Sequence, residues 1–350
     1  MKNIVVLLIL LFAFALQAQV TEKHLKNIKQ LTFGGNNAEA YFSFDGKKAS
    51  FQSDYAAWGN KCDQIHMYDL TKPLKDSTKV PQRISTGKGR TTCSFFMPGN
   101  KQILYASTHL AGDDCPPAPA PRADRKYVWA IYESFDIFVA DLDGKIVKQL
   151  TNTQGYDAEA TVSPKGDKIV FTSMRTGDPE LFTMNIDGSD VKQITTGLGY
   201  DGGAFFSPDG TQLVFRSSRP TVEADVKEYK DLLVQGLVMP TEMEIYTCNV
   251  DGTNLKQVTH LGKANWAPFF THDGKKIIFS SNHKSTKGYD FQLYMVNADG
   301  TGEPEQITTE SIFNAFPMFS PDGKKLIFSS NRTNKPGSRD TNLFIADWVD

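Results

Sequence analysis

Four carboxylates and one arginine recur at fixed distances from a repeated glycine turn, and they are the first residues whose types and spacing offer chemistry. Asn37, Arg90, Asp157, Asp201, Asn265 and Asn314 each stand nine residues before such a glycine. Glu39 and Glu159 lie two residues further on, and Tyr156, Tyr200 and Trp266 flank the same positions. Six polar residues at equivalent places predict a ring around one opening, able to hold a cation, a sugar or a peptide terminus. The oxygens of Glu39, Asp157, Glu159 and Asp201 suit calcium or another hard divalent cation. Asp157, Glu159 and Asp201 would also permit acid–base work on a glycosidic bond. The competing reading is structural: the same side chains cap strand ends and bond neighbouring repeats.

Other reactive residues are sparse. The six histidines, at positions 24, 66, 109, 260, 272 and 283, include no pair at ligand spacing. His66 falls in an aromatic core column, whereas His109 and His260 are placed to face the opening. No G-x-S-x-G elbow is present, which disfavours a serine peptidase. Cys248 shares a column with Ala140, Met184, Val296 and Ala346 and reads as a buried free thiol. Cys62, Cys93 and Cys115 map to the loop-rich side, and in an exported protein two of them are expected to pair; spacing leaves the pair open. Arg175, Arg219 and Arg332 end equivalent strands, and Glu180 and Glu244 begin the strands that follow, a pattern that predicts structural ion pairs between strands.

The elements that position these residues follow from an internal repeat. Its turn glycines are Gly46, Gly99, Gly166, Gly210, Gly274 and Gly323, in the contexts SFDGKK, MPGNKQ, SPKGDK, SPDGTQ, THDGKK and SPDGKK. Four residues upstream of each is a bulky apolar residue: Phe42, Phe95, Val162, Phe206, Phe270 and Phe319. Six residues upstream the column is small or proline: Ala40, Cys93, Ala160, Ala204, Pro268 and Pro317. A short β-type run follows each turn, then a strand marked by His66, Phe138, Phe182, Tyr246, Tyr294 or Phe344, then an Asp-Gly turn in four copies. The fourth strand reads Gln-Leu-Thr or a variant, and its first instance, Gln30-Leu31-Thr32, precedes the first complete copy while none follows the last. The N-terminal strand is therefore expected to complete the C-terminal sheet, closing an all-β, six-bladed propeller of four-stranded antiparallel blades. An open sandwich explains neither the sixfold count nor the displaced strand.

The SPDG turns and the IFSSNR-type strands after them resemble the WD40-like repeat of TolB-like β-propellers. The resemblance covers nearly all of the chain beyond its first residues. It implies a TolB-like propeller, with one departure: TolB carries a separate α/β domain before its propeller, whereas here the closing strand is expected within about a dozen residues of Ala18. Propellers of this type serve as binding scaffolds, as gating domains of prolyl oligopeptidases and occasionally as lyases.

Composition bounds the remaining possibilities. The chain has 350 residues, 40% of them hydrophobic, with 38 basic and 40 acidic side chains and a formal charge of -2. That balance predicts no nucleic-acid partner. Lys2 followed by the apolar run Ile4 to Leu16 and by Ala18 predicts a signal peptide over 1–18, leaving a single propeller over 19–350 that is exported to the periplasm or cell surface, without a membrane span and monomeric. Two insertions, 108–134 and 220–241, lie on one face. The first is rich in proline and aromatic residues; the second predicts an amphipathic helix capped by Thr221, with Val222, Val226, Tyr229 and Leu233 on one side, a Glu223–Lys227 pair and an end at Gly236. Function is expected on that face. The leading expectation is a scaffold for a protein or peptide partner, with no cofactor required. The other is a carbohydrate-active or metal-dependent enzyme working at the funnel.

Overall fold

The computed structural model describes residues 22–72, 80–124 and 126–350; the expected export signal lies outside them. Six four-stranded antiparallel sheets follow one another around a central axis, all but the last running outward in chain order. Their innermost strands are Asn37–Phe42, Thr91–Phe96, Asp157–Val162, Asp201–Phe206, Asn265–Phe270 and Asn314–Phe319. Leu25–Gln30 pairs antiparallel with Asn342–Trp348, with Leu25 opposite Trp348 and Gln30 opposite Phe344, so the first strand is the outermost strand of blade six. This closure covers the edge that the last strand would otherwise expose.

The repeated residues each have a visible task. In the SPDG turn of blade four, the Ser207 hydroxyl donates to Asp209 at 2.6 Å, the Asp209 carboxylate accepts from the Thr211 amide, and Gly210 takes φ +67° and donates its amide to the Ser207 carbonyl. A positive φ is open to glycine at little cost, which is why that position repeats. The aromatic column of the third strand sits directly opposite the second: Phe51 faces His66, Tyr105 faces Phe138, Phe171 faces Phe182, Phe215 faces Tyr246, Phe279 faces Tyr294 and Phe328 faces Phe344. These pairs fill the space between the blades.

The Gln-Leu-Thr motif acts as a clamp. In blade three the Thr195 hydroxyl accepts the Leu181 amide at 2.9 Å and donates to the Glu180 carboxylate at 2.5 Å. Thr32, Ser85, Thr151, Thr259 and Thr308 make the same two bonds to Asn342, Gln64, Asp136, Glu244 and Gln292 and to the amide that follows each. Glu180 and Glu244 thus hold the fourth strand, and the expected ion pairs between them and the arginines are not the arrangement found.

Candidate functional site

Each innermost strand contains a β-bulge, seen as a register shift against the second strand of its blade. At the bulge one residue takes a left-handed backbone: Glu39, Cys93, Glu159, Gly203, Ala267 and Phe316, with φ between 45° and 61°. Bulges bend a strand and redirect a side chain. These six together line a narrow neck of about 30 Å³ on the axis, with Tyr41, Thr161, Phe205, Arg216 and Pro317. The true axial ring therefore lies nearer the turn glycines than the polar ring expected from the sequence.

Above the neck opens a chamber of about 780 Å³. Its walls are Glu39, Gln52, Asp63, Arg90, Cys93, Tyr156, Glu159, Tyr200, Arg216, Trp266 and Phe316 from the blades. Its roof is Ala118 to Arg122 and Lys126 to Tyr132 from the blade-two insertion, with Val238 from the blade-four insertion. The two insertions are joined: Trp129–Ala130 pairs as a short ribbon with Leu237–Val238, and Arg122 and Lys126 both bond Glu228. The helix of the blade-four insertion, α1 (Glu223–Val234), stands beside the roof, buries Leu232 and bonds Asp178 through the Tyr229 hydroxyl. It begins without a side-chain cap after Val222, which is exposed, and its ion pair is Lys227–Asp231. The expected Thr221 cap, the Glu223–Lys227 pair and an apolar face including Val222 are replaced accordingly, while Gly236 does close the segment with φ +68°.

A disulfide between Cys62 and Cys115, with Cα atoms 6.1 Å apart, fixes the arm to blade one. Of the pairings the sequence left open, this is the one formed; Cys93 and Cys248 are buried free thiols. Lys61–Asp114 and Lys88–Asp113 ion pairs and a bond from the Gly89 amide to the Asp113 carbonyl support the same junction. In the variant with Cys62→Ser and Cys115→Ser, hydrogen exchange over 110–132 is expected to accelerate about tenfold or more, with the blade strands unchanged. Uniform acceleration through blades one and two would show instead that the bond supports the propeller itself.

The centre of the site is a buried ion pair. Arg216 donates to the Glu159 carboxylate and, at 2.8 Å, to the Tyr200 hydroxyl. Glu159 also accepts from the Thr172 hydroxyl at 2.7 Å, the Tyr200 hydroxyl at 2.8 Å and the Gly203 amide at 2.9 Å. Burial opposes ionisation of Glu159, but Arg216 and these donors outweigh it and hold the carboxyl below its usual range. The Arg216 guanidinium lies over the rings of Trp129 and Tyr200, 5.2 and 5.1 Å from their centroids. Sequence provides the space: a Cβ on Gly202 would meet Glu159, and one on Gly203 would meet Arg216. Glu39, by contrast, has the Cys93 thiol beside it and a long bond from the Tyr41 hydroxyl, 3.4 Å, and burial, joined by the nearby Glu159 charge, outweighs these donors and pushes its pKa up to about 7.

Of the nine residues expected at the funnel, Glu39, Arg90, Glu159 and Trp266 line the chamber. Arg90 is paired with Asp63 at 2.5 Å. The other five bond strand ends and neighbouring segments. Asn37 donates to the Gly34 and Thr341 carbonyls, Asn265 to those of Met243 and Gly262, and Asn314 to Gln292 and the Glu310 carbonyl. Asp157 pairs with Arg175 and Asp201 with Arg219, while Arg332 pairs with Glu22 and bonds Asn314. The four carboxylates imagined around a calcium ion do not converge, and among the described residues no group of three or more His, Cys, Asp or Glu side chains is arranged for a metal. His109 and His260 do not line the chamber; His109 bonds Ser107 and rests on the Phe138 ring, 4.5 Å between centroids.

Arg216 escaped the sequence reading, although a signal existed. Its second-strand position, opposite Gly202, is held by Gln52, Ala106, Thr172, Ser280 and Ser329 in the other blades. It is the one charged member of that column, and the Gly-Gly pair that accommodates it is equally singular.

Residues 110–230 match the family model of the TolB beta propeller domain. Among solved structures, an Agrobacterium tumefaciens protein assigned as TolB is similar at a TM-score of 0.58 and 18% identity, over 90% of this chain and 91% of that one. TolB from Acinetobacter baumannii is similar at 0.54 and 19%, over 91% of this chain and 64% of that one. An oligogalacturonate lyase from Vibrio parahaemolyticus is similar at 0.51 and 11%, over 92% of this chain and 96% of that one. At these identities the likeness is one of fold.

Proposed function

We propose that this TolB-like propeller is an exported binding scaffold whose roofed chamber receives an extended segment of a protein or peptide partner. The observation that carries the reading is the roof. Two insertions from different blades meet over the chamber and pair with each other, the first is fastened to blade one by a disulfide, and none of this is needed to close the ring. The chamber's volume falls in the usual range for ligand pockets. Its walls mix aromatic rings, among them Tyr156, Tyr200 and Trp266, with charged groups that are mostly paired with one another, a lining suited to an extended chain with apolar side chains. Export is read from the N-terminal residues, and no helix among those described is long and apolar enough to cross a membrane.

The enzymatic alternative asks for Asp157, Glu159 and Asp201 as acid–base groups at one opening. Each is instead paired with its own arginine, and two of the three lie outside the chamber. We therefore take the scaffold reading. A photoreactive phenylalanine analogue at Tyr127, exposed in the arm, tests it against the same residue at Val147, exposed on the outer strand of blade two. A partner cross-linked from envelope extract at 127 and not at 147 is the expected result. Equal labelling at both positions, or labelling at 147 alone, would place the interface elsewhere.

A further inference from the structure

We infer that the neck of the chamber recognises a cationic group, an ammonium or guanidinium on the bound peptide, with the Glu39 carboxylate as its counter-ion; the inference rests on reading the chamber as a peptide site. The charged side chains that line the chamber are otherwise spoken for. Asp63 is paired with Arg90, Glu159 with Arg216, and Arg122 and Lys126 with Glu228. Among the described residues that leaves Glu39 as the charged wall residue with no ion-pair partner, on a bulge that aims it at the axis. A carboxylate away from bulk water without a cation is costly, and a ligand that brings one recovers that cost.

Two further features fit the same occupant. The chamber already shows how it treats a guanidinium, since Arg216 sits over Trp129 and Tyr200, and cations gain from such ring faces. Trp266, whose ring is 6.0 Å from that of Phe316 in the neck, adds a further aromatic surface beside the place a cation would occupy.

The groups that face Glu39 are Cys93 from blade two, Glu159 from blade three, Arg216 from blade four and Tyr41 on its own strand. Burial and the neighbouring carboxylates keep the Cys93 thiol and the Tyr41 hydroxyl neutral, and Glu159 and Arg216 hold each other charged. Glu39 is therefore the member of this set that changes charge near neutrality, being protonated below about pH 7 and ionised above it. Affinity for a basic peptide should fall as pH is lowered from 8 to 6, while a lysine side chain stays charged throughout.

The test uses capped pentapeptides with a central lysine, arginine, norleucine or citrulline, and butylammonium and agmatine as free cations, titrated into the wild type and Glu39→Gln. Lysine and arginine peptides are expected to bind about tenfold tighter than their neutral counterparts, the scale of one charge-assisted bond. Glu39→Gln should remove that preference and leave the norleucine peptide within about twofold, and the wild-type pH profile repeats the comparison without a substitution. Peptides that bind with no basic preference, or with one that survives in Glu39→Gln, overturn the cation site and leave the peptide site standing. Glu39-dependent binding of butylammonium or agmatine with no peptide bound keeps the cation site and overturns the peptide as its source. Absence of binding by every probe overturns both.

Discussion

Arg216→Ala is expected to lower folding stability by about 3–5 kcal/mol at neutral pH, the usual cost of stranding a buried partner charge. Glu159 would keep its hydrogen bonds from Thr172, Tyr200 and the Gly203 amide, but lose the cation that makes its ionisation tolerable. The pH dependence has a definite sign. In the wild type the Glu159 pKa is depressed, so its contribution is present above the unfolded carboxylate range and lost as pH falls through the folded value. The deficit of Arg216→Ala should therefore be largest at neutral pH and shrink in acid. Adding Glu159→Gln should recover part of it by removing the stranded charge. Denaturant midpoints at two pH values for the single and double variants would measure this. A loss below about 1 kcal/mol, unchanged by Glu159→Gln, would show that the pair is not what holds blades three and four together at the axis.

Removing residues 22–31 should have an effect as large. Those residues bury Leu25 and Leu31, stack His24 on Trp348 at 4.8 Å, and pair Glu22 with Arg332. Two buried leucines are worth about 1.5–3 kcal/mol each, and the strand's hydrogen bonds add to that, against a typical total stability of about 5–15 kcal/mol. The truncated chain also exposes the full edge of Asn342–Trp348, a template for pairing with another chain. Light scattering is expected to find a larger mean mass than for the intact chain, with aggregates, and a synthetic peptide of residues 22–31 should return the mass to that of the intact chain by supplying the missing strand. A truncated monomer with an unchanged unfolding midpoint would contradict the closure.

Closure was legible in the sequence because it depends on counting: Gln30-Leu31-Thr32 is a fourth strand with no blade before it, and the structure places it in blade six. The stacked aromatics were legible for the same reason, a column at constant offset. The site was less so. Asn37, Asp157, Asp201, Asn265 and Asn314 form the most regular polar column, and regularity around a ring marks what every blade needs, namely a tie to its neighbour. Binding features break symmetry. Glu39, Glu159 and Arg216 are charged where equivalent positions hold Cys93, Gly203 and Ala267, or Gln52, Ala106 and Ser280. The bulge that turns Glu39 and Glu159 toward the axis depends on backbone geometry and carries no fixed residue type, so spacing from the glycine placed it without revealing where it points. Likewise the Cys62–Cys115 pair needed the path of the arm, which prolines stiffen but do not direct.

The most direct test of the chamber as the binding site uses its own tryptophans. Trp129 and Trp266 line it, whereas Trp58 and Trp348 lie elsewhere. In a variant with Trp58→Phe and Trp348→Phe, all indole emission comes from the chamber. Titration with the lysine pentapeptide is predicted to change that emission saturably, with the same midpoint as calorimetry and with loss of the response in Glu39→Gln. Calorimetric binding with flat emission would put the ligand on another surface and contradict the account.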